Sequence, residues 1–338
     1  MEYRDRTRIV APDGEDDAAE SPPRVRRLPF AKAAGRLDLR KVATASTLAA
    51  LLIALIFYAG GLALRSAVGW LHAQPQYQLP FTRITLSTPP PECFRGGATA
   101  FLDRVRRNAN EPETLSLLDV DPDRLADAFK QFPWVERVES IEFPPRGLVV
   151  RLAYRTPVAR VQASPADQVI LDREGCILPV EDIDTERVGR LIVIRYKGMK
   201  LPSADRVGKL WQTGGTDDPA RADLDRDVVQ AAKLAGFLLQ PERESVAKAE
   251  PAARVRTILP DDSGFNRGLF VHTSLQTFIL WGRGPGDEQA GEPQAEEKWG
   301  ILVKWAKSGE LKASRDGDFW TINRTGMTYT PAARTGRS

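Results

Sequence analysis

Residues 121–155 read DPDRLADAFKQFPWVERVESIEFPPRGLVVRLAYR, and their punctuation decides the fold. Asp121 is a helix N-cap residue and Pro122 suits the first helical position, where its missing N–H costs nothing. Leu125, Ala128, Phe129 and Phe132 then recur at helical spacing, so one face of this helix is predicted to be buried until Pro133 closes it. Trp134–Phe143 and Leu148–Arg155 are predicted strands. The second alternates Leu148, Val150, Leu152 and Tyr154 with Val149, Arg151, Ala153 and Arg155, and Pro144-Pro145-Arg146-Gly147 supplies the turn between the two.

Upstream, Ala98, Phe101, Leu102 and Val105 mark an earlier helix, and Phe81–Leu86 reads as a short strand ended by Pro89-Pro90-Pro91. The order β-α-α-β-β over residues 81–156 predicts a small α+β module, a three-stranded sheet with two helices on one face. Further back, Val42–Leu64 (VATASTLAALLIALIFYAGGLAL) carries no charge, and about 20 such residues suffice to cross a bilayer. A signal peptide has an apolar region of only about 7–15 residues. Arg24, Arg26, Arg27, Lys32, Arg36, Arg40 and Lys41 precede the span, whereas only Arg65 and Arg83 follow it before Glu92. This bias predicts a cytoplasmic N-terminus, a single pass through the inner (cytoplasmic) membrane and an extracytoplasmic bulk. Tail 1–41, charge-mixed and poor in apolar residues, is predicted to be disordered, and residues 65–80 form a linker.

Downstream the chain becomes strand-rich. Val158–Val161, Val169–Leu171, Ile177–Val180 and Leu191–Tyr196 read as strands, with Asp172-Arg173-Glu174-Gly175 as a hairpin turn. A helix over Leu224–Leu239 buries Val228, Ala231, Ala232 and Ala235 and stops at Pro241. Strands Arg254–Leu259, Gly268–Thr273 and Thr277–Trp281 follow, then a helix marked by Trp299, Leu302, Val303 and Ala306. Asp318–Asn323 is the last predicted strand. Residues 157–326 thus form a larger, mixed β domain, and 327–338 a disordered tail.

The segments Pro133-Trp134-Val135, Pro145-Arg146-Gly147-Leu148, Pro157-Val158-Ala159 and Asp172-Arg173-Glu174-Gly175 resemble, in order and spacing, the FtsQ/DivIB family of bacterial cell-division proteins. The family plan also matches: a cytoplasmic tail, one span, a POTRA-type domain and a β domain. Tyr154-Arg155 departs from it, because an acidic residue usually precedes the P-[VI]-A segment. Trp320-Thr321-Ile322-Asn323-Arg324 is a degenerate form of the family's closing strand. The resemblance implies a divisome scaffold at the division site that binds other bitopic proteins, FtsL- and FtsB-like, and links them to septal peptidoglycan synthesis. Strand addition at the C-terminal edge is the expected mode, through Trp320, Ile322 and Asn323 with Trp299 and Trp305 nearby.

Composition narrows the alternatives. With 338 residues, about two domains are expected. A net charge of +3 spread over 48 basic and 45 acidic side chains argues against nucleic acid as a partner. Two cysteines exclude a disulfide-rich scaffold and a four-thiolate zinc site, and two distant histidines, His72 and His272, leave little material for a His-based metal or triad site. Asp217-Asp218 and Asp261-Asp262 read as solvated turns, and Gly282-Arg283-Gly284-Pro285-Gly286 lacks the helix that a phosphate loop needs directly after it. No cofactor and no catalysis are expected. Cys93 and Cys176 both follow the span, so a disulfide between them is one expectation and two free thiols the other. A membrane-anchored regulator of an envelope enzyme, or a secretion or assembly component with a POTRA module, is the alternative function.

Overall fold

The computed structural model describes residues 39–145, 147–164, 167–196, 198–214, 218–261, 268–315 and 318–331. The expectations for the tail before Leu39, for Arg146, Asp217 and Asp262, and for residues 332–338 lie outside them. The described chain is α+β, with one long apolar helix followed by sheet-dominated structure.

Helix α1 runs Leu39–His72 and is about 50 Å long at 1.5 Å per residue. Within it Thr47–His72, with a mean hydropathy of 2.3, is long and apolar enough to cross a membrane. The helix continues past Leu64 to His72, so the first half of the expected linker is helical. No proline interrupts that stretch, and Pro75 opens the 3-10 turn that follows. His72 Nδ1 pairs with Asp119 at 2.6 Å.

Residues from Ala67 on form one compact unit. Its first part holds β1 (Gln78–Pro80), β2 (Thr85–Leu86), α2 (Gly97–Asn108), β3 (Thr114–Ser116), α3 (Pro122–Lys130), β4 (Val135–Glu142) and β5 (Val149–Tyr154). The three-stranded sheet has the order β2-β5-β4, with α2 and α3 packed on it through Phe101, Leu102, Val105, Leu125 and Phe129. Asp121 caps α3 by accepting from the Asp123 amide at 3.0 Å. Phe81–Leu86 is not a continuous strand. Phe81, fully buried, opens a 3-10 turn, and only Thr85 and Leu86 pair, parallel to β5. The short strands β1 and β3 form a separate antiparallel pair. Pro145 lies in the exposed turn between β4 and β5, and Leu148 is buried at its far side.

The second part adds β6 (Pro157–Gln162), β7 (Gln168–Asp172), β8 (Ile177–Leu178), β9 (Ile192–Ile194), α4 (Pro219–Leu238), α5 (Pro241–Ala249), β10 (Val255–Pro260), β11 (Leu269–Thr273), β12 (Phe278–Gly282), α6 (Ala295–Ser308), β13 (Phe319–Asn323) and β14 (Gly326–Thr330). These strands join one nine-stranded sheet, ordered β14-β13-β12-β11-β10-β9-β6-β7-β8. The helical crossover through α4 and α5 makes β9 and β10 parallel, and the crossover through α6 does the same for β12 and β13. Pro241, expected only to stop a helix, also begins α5 at the position where a proline is tolerated. Residues 327–330, expected in the tail, belong to a strand, because the Asn323–Gly326 turn folds them back onto β13.

The expected boundary at 156/157 does not coincide with the division between the two cores. Ile170, Leu178 and Ile183 of the second part belong to the aromatic core of the first, where Phe94 meets Trp134 edge-on at 5.3 Å. Asp182, 5% exposed, accepts from Trp134 Nε1 at 3.0 Å and from the Arg104 guanidinium. Burial pushes its carboxyl up, and Arg104 and Trp134 pull it back. Arg155, the departure from the family pattern, donates to Asp172 at 2.6 Å. The other Asp172 oxygen accepts the amides of Glu174 and Cys176, which closes the turn at Gly175. Pro133 packs beside Gly208, and Val135, Val158 and Ala159 are buried. Cys93 and Cys176 are both buried free thiols, not a disulfide, and burial pushes the Cys176 thiol up to about 11.

Trp134→Phe keeps a ring at this junction but deprives Asp182 of a donor. The expected cost is about 1–3 kcal/mol. It is read as a fall in thermal midpoint of about 2–4 °C per kcal/mol. An unchanged midpoint would show that the hydrogen bond contributes nothing net.

Candidate partner-binding edge

The C-terminal corner is built by α6, β13 and β14. Gln294 and Glu297 form a reciprocal capping box that starts α6. Beneath that end, Lys298 is fully buried and donates to Glu292 Oε1 at 2.6 Å and to the Arg283 carbonyl at 3.1 Å. Glu292 also accepts the amides of Arg283 (2.7 Å) and Gln289 (2.9 Å). Gly282 sits at φ +90°, and a Cβ there would collide with Glu292 Oε1, so only glycine lets the loop close over the pair. Burial works to raise the Glu292 carboxyl, but the hydrogen bonds from Lys298 and the two amides outweigh it and leave it lowered.

With α6 fixed, Trp305 reaches the sheet. Its ring lies 5.8 Å from Trp320, which lies 5.1 Å from Tyr329 in the directly opposed position of β14. Gly326 (φ +141°) passes beneath Trp305, whose Nε1 would be 3.3 Å from any Cβ. Trp320 Nε1 is buried without a partner, while the Tyr329 hydroxyl donates to Asp318, a bond that pushes the phenol up.

The five residues expected at a binding edge therefore take different positions. Ile322 is core, 6% exposed. Asn323 shapes the hairpin, accepting from the Thr325 amide at 3.1 Å and donating to Thr328 at 2.9 Å. Trp320 is held between Trp305 and Tyr329, and Trp299 packs from α6 against the main core. β13 is an interior strand, so the true edge is β14, with Tyr329 45% exposed. The sequence signal for it is the turn Asn323-Arg324-Thr325-Gly326 before a short run of strand-forming residues.

Two other sheet ends, β8 and β4, are protected. At β8, the amides of Gly208 and Ile177 pair across the chain with the Ile177 and Lys209 carbonyls, and Cys176 bridges Leu210. β4 is an edge too, but two register shifts interrupt it and Glu136, Arg137, Glu139 and Glu142 charge it. Charges and bulges are the usual means of discouraging strand addition. β14 has neither: it is uncharged and pairs with β13 through five residues without a shift.

Among the described residues, His272 lies on β11 and no group of three His, Cys, Asp or Glu is placed to hold a metal. No protein-family model matches the chain, and no curated protein matches it.

The sign for Glu292 is that of a depressed carboxyl. Its contribution to stability is present above the ordinary Glu value and fades as the pH falls through its lowered value in the folded protein. Lys298→Met should cost about 3–5 kcal/mol at neutral pH by stranding a buried carboxylate. The deficit should shrink in acid, and adding Glu292→Gln should recover part of it. Urea midpoints at neutral pH and at about pH 4, near the ordinary Glu value, read both effects; a deficit independent of pH would rule this account out.

Proposed function

We propose that the chain is a single-pass membrane scaffold of bacterial cell division, similar in plan to FtsQ/DivIB proteins. Its N-terminus is cytoplasmic and its strand-rich part lies outside, where β14 accepts a strand from FtsL- or FtsB-like membrane-anchored partners. The observation that carries this reading is the β14 edge itself: regular, uncharged, unpaired on one side among the described residues, and backed by the Trp305–Trp320–Tyr329 ladder. An added strand gains affinity from backbone hydrogen bonds and specificity from alternate side chains, and an aromatic row gives those side chains a surface to meet. Further support comes from the long apolar helix and from the order of the modules after it. Binding at this edge would couple the partner to septal peptidoglycan synthesis without a catalytic step in this chain.

Two measurements test the reading. An N-terminal fluorescent fusion should concentrate at the division plane; an even envelope signal would move the function away from division. Thr328→Pro removes an amide from the edge strand, and truncation after Thr325 removes the strand. Both should abolish co-purification of the FtsL- and FtsB-like proteins while the helical signal of α2 and α3 persists in circular dichroism. Undiminished co-purification would exclude β14 as the binding strand.

A further inference from the structure

The nine-stranded sheet has two faces, and their outward rows can be followed strand by strand. One face carries the main core, with α4 and α6 packed on Val161, Ile258, Ile279 and Ile322. The opposite face begins at Leu178 and Ile170, which face each other across β8 and β7 and are covered by the aromatic core of the first part. From Ile170 the same row passes to Arg160 on β6, Val193 on β9 and Thr257 on β10. It ends at His272 on β11 and Phe278 on β12. The next row holds Leu259, Phe270, Leu280, Thr321 and Thr328 in register across five strands.

Beyond β9 that face has no cover among the described residues. A sheet with one open face normally alternates apolar-in with polar-out. Here Leu259, Phe270, Phe278, Leu280 and Phe319 all occupy outward positions, are only partly buried, and pack against neither core. Phe270 stacks on Phe278 at 4.9 Å and meets Phe319 edge-on at 5.8 Å, so the rings make one continuous patch. Contiguous apolar surface of this kind marks an interaction site.

The charge around it selects the occupant. Strands β6 and β9–β13 contain no Asp or Glu. Arg160 lies on β6, Arg195 directly after β9, and Arg256 on β10 at its register shift, beside the patch. None has a carboxylate partner among the described residues: Arg195 donates to Gln162, Arg256 to Ser274, and Arg160 Nε is buried without a partner. We propose that this open face docks an amphipathic helix of a partner chain, its apolar stripe on the aromatic patch and a row of Asp and Glu against the three arginines. Four strands at about 4.8 Å spacing make a bed about 14 Å wide. A helix about 10–12 Å across its side chains fits it. A second copy laid face to face would instead set uncompensated arginines against each other. The proposal stands independently of the β14 edge.

The test uses the full chain in lipid nanodiscs and two synthetic amphipathic helices with the same Leu/Ala stripe, one flanked by Glu and one by Lys, followed by fluorescence anisotropy. The Glu-flanked helix should bind at least about tenfold more tightly, and Leu280→Thr should weaken it by a similar factor. Arg160→Glu with Arg195→Glu changes polar positions only and should reverse the preference, which keeps the test decisive if the patch variant folds poorly. Equal binding of the two helices, no binding, or unchanged preference after charge reversal overturns the proposal. So does self-association of the protein that Leu280→Thr abolishes, which would assign the face to a second copy.

Discussion

The Asp182 carboxylate is the constraint on which the architecture beyond the long apolar helix turns. A carboxylate withdrawn from water must find donors, and the two that meet it come from different elements of the first part: the indole of Trp134 and the guanidinium of Arg104. Satisfying it fixes the last turn before β4 and one face of α2 against the 3-10 turn at Val180–Asp182. Arg155 and Asp172 repeat the device where β5 passes into β6. Both pairs lie along the same seam, where Ile170, Leu178 and Ile183 of the second part join the aromatic core of the first. The β7–β8 end of the large sheet is therefore buried by construction, and the sheet is free to present its opposite end.

That opposite end is organised by a second buried charge. Lys298 and Glu292 close the loop between β12 and α6, which sets the start of α6 and through it the position of Trp305. Breaking either partner would leave an ion without compensation, so the loop has one closed arrangement rather than several. The aromatic ladder is then a consequence of helix placement rather than of the edge strand's own sequence. This explains how a strand as short and plain as Gly-Met-Thr-Tyr-Thr is held in register.

Much of this was legible from local punctuation. The Asp121-Pro122 cap, the spacing of Leu125, Ala128 and Phe129, and the Pro-rich turn before Leu148 each encode their element within a few residues. The misreadings arose where long-range pairing overrides local pattern. Phe81–Leu86 reads as a strand, but burying Phe81 forces a 3-10 turn and leaves only two residues to pair. Past Gly326 the run of strand formers that follows the turn is too short to specify a strand alone, and β14 is held in place by β13 and α6. At the candidate edge the aromatic residues were legible, but their roles were not: which of Trp320, Ile322 and Asn323 faces core, ladder or turn depends on β14 being present. The acids that join the two parts were equally hidden. Asp182 has no local signature, and Arg155 reads only as a departure until its partner is seen 17 residues away.

Among the described residues the large sheet thus leaves the β14 edge and one face open, and the two are coupled by geometry. Thr321 and Thr328 belong to the same outward row that carries Phe270 and Leu280, so the face runs continuously to the strand that forms the edge. A strand added beside β14 would extend both faces at once, and a helix tethered to that strand would have the aromatic patch within reach. On the proposed reading, partners anchored in the same bilayer as this chain would arrive already confined, and each contact would raise the effective concentration for the next. Under that condition a short edge and a modest patch need only limited affinity apiece. Surfaces that would be weak between free proteins in solution become sufficient when the membrane holds them together.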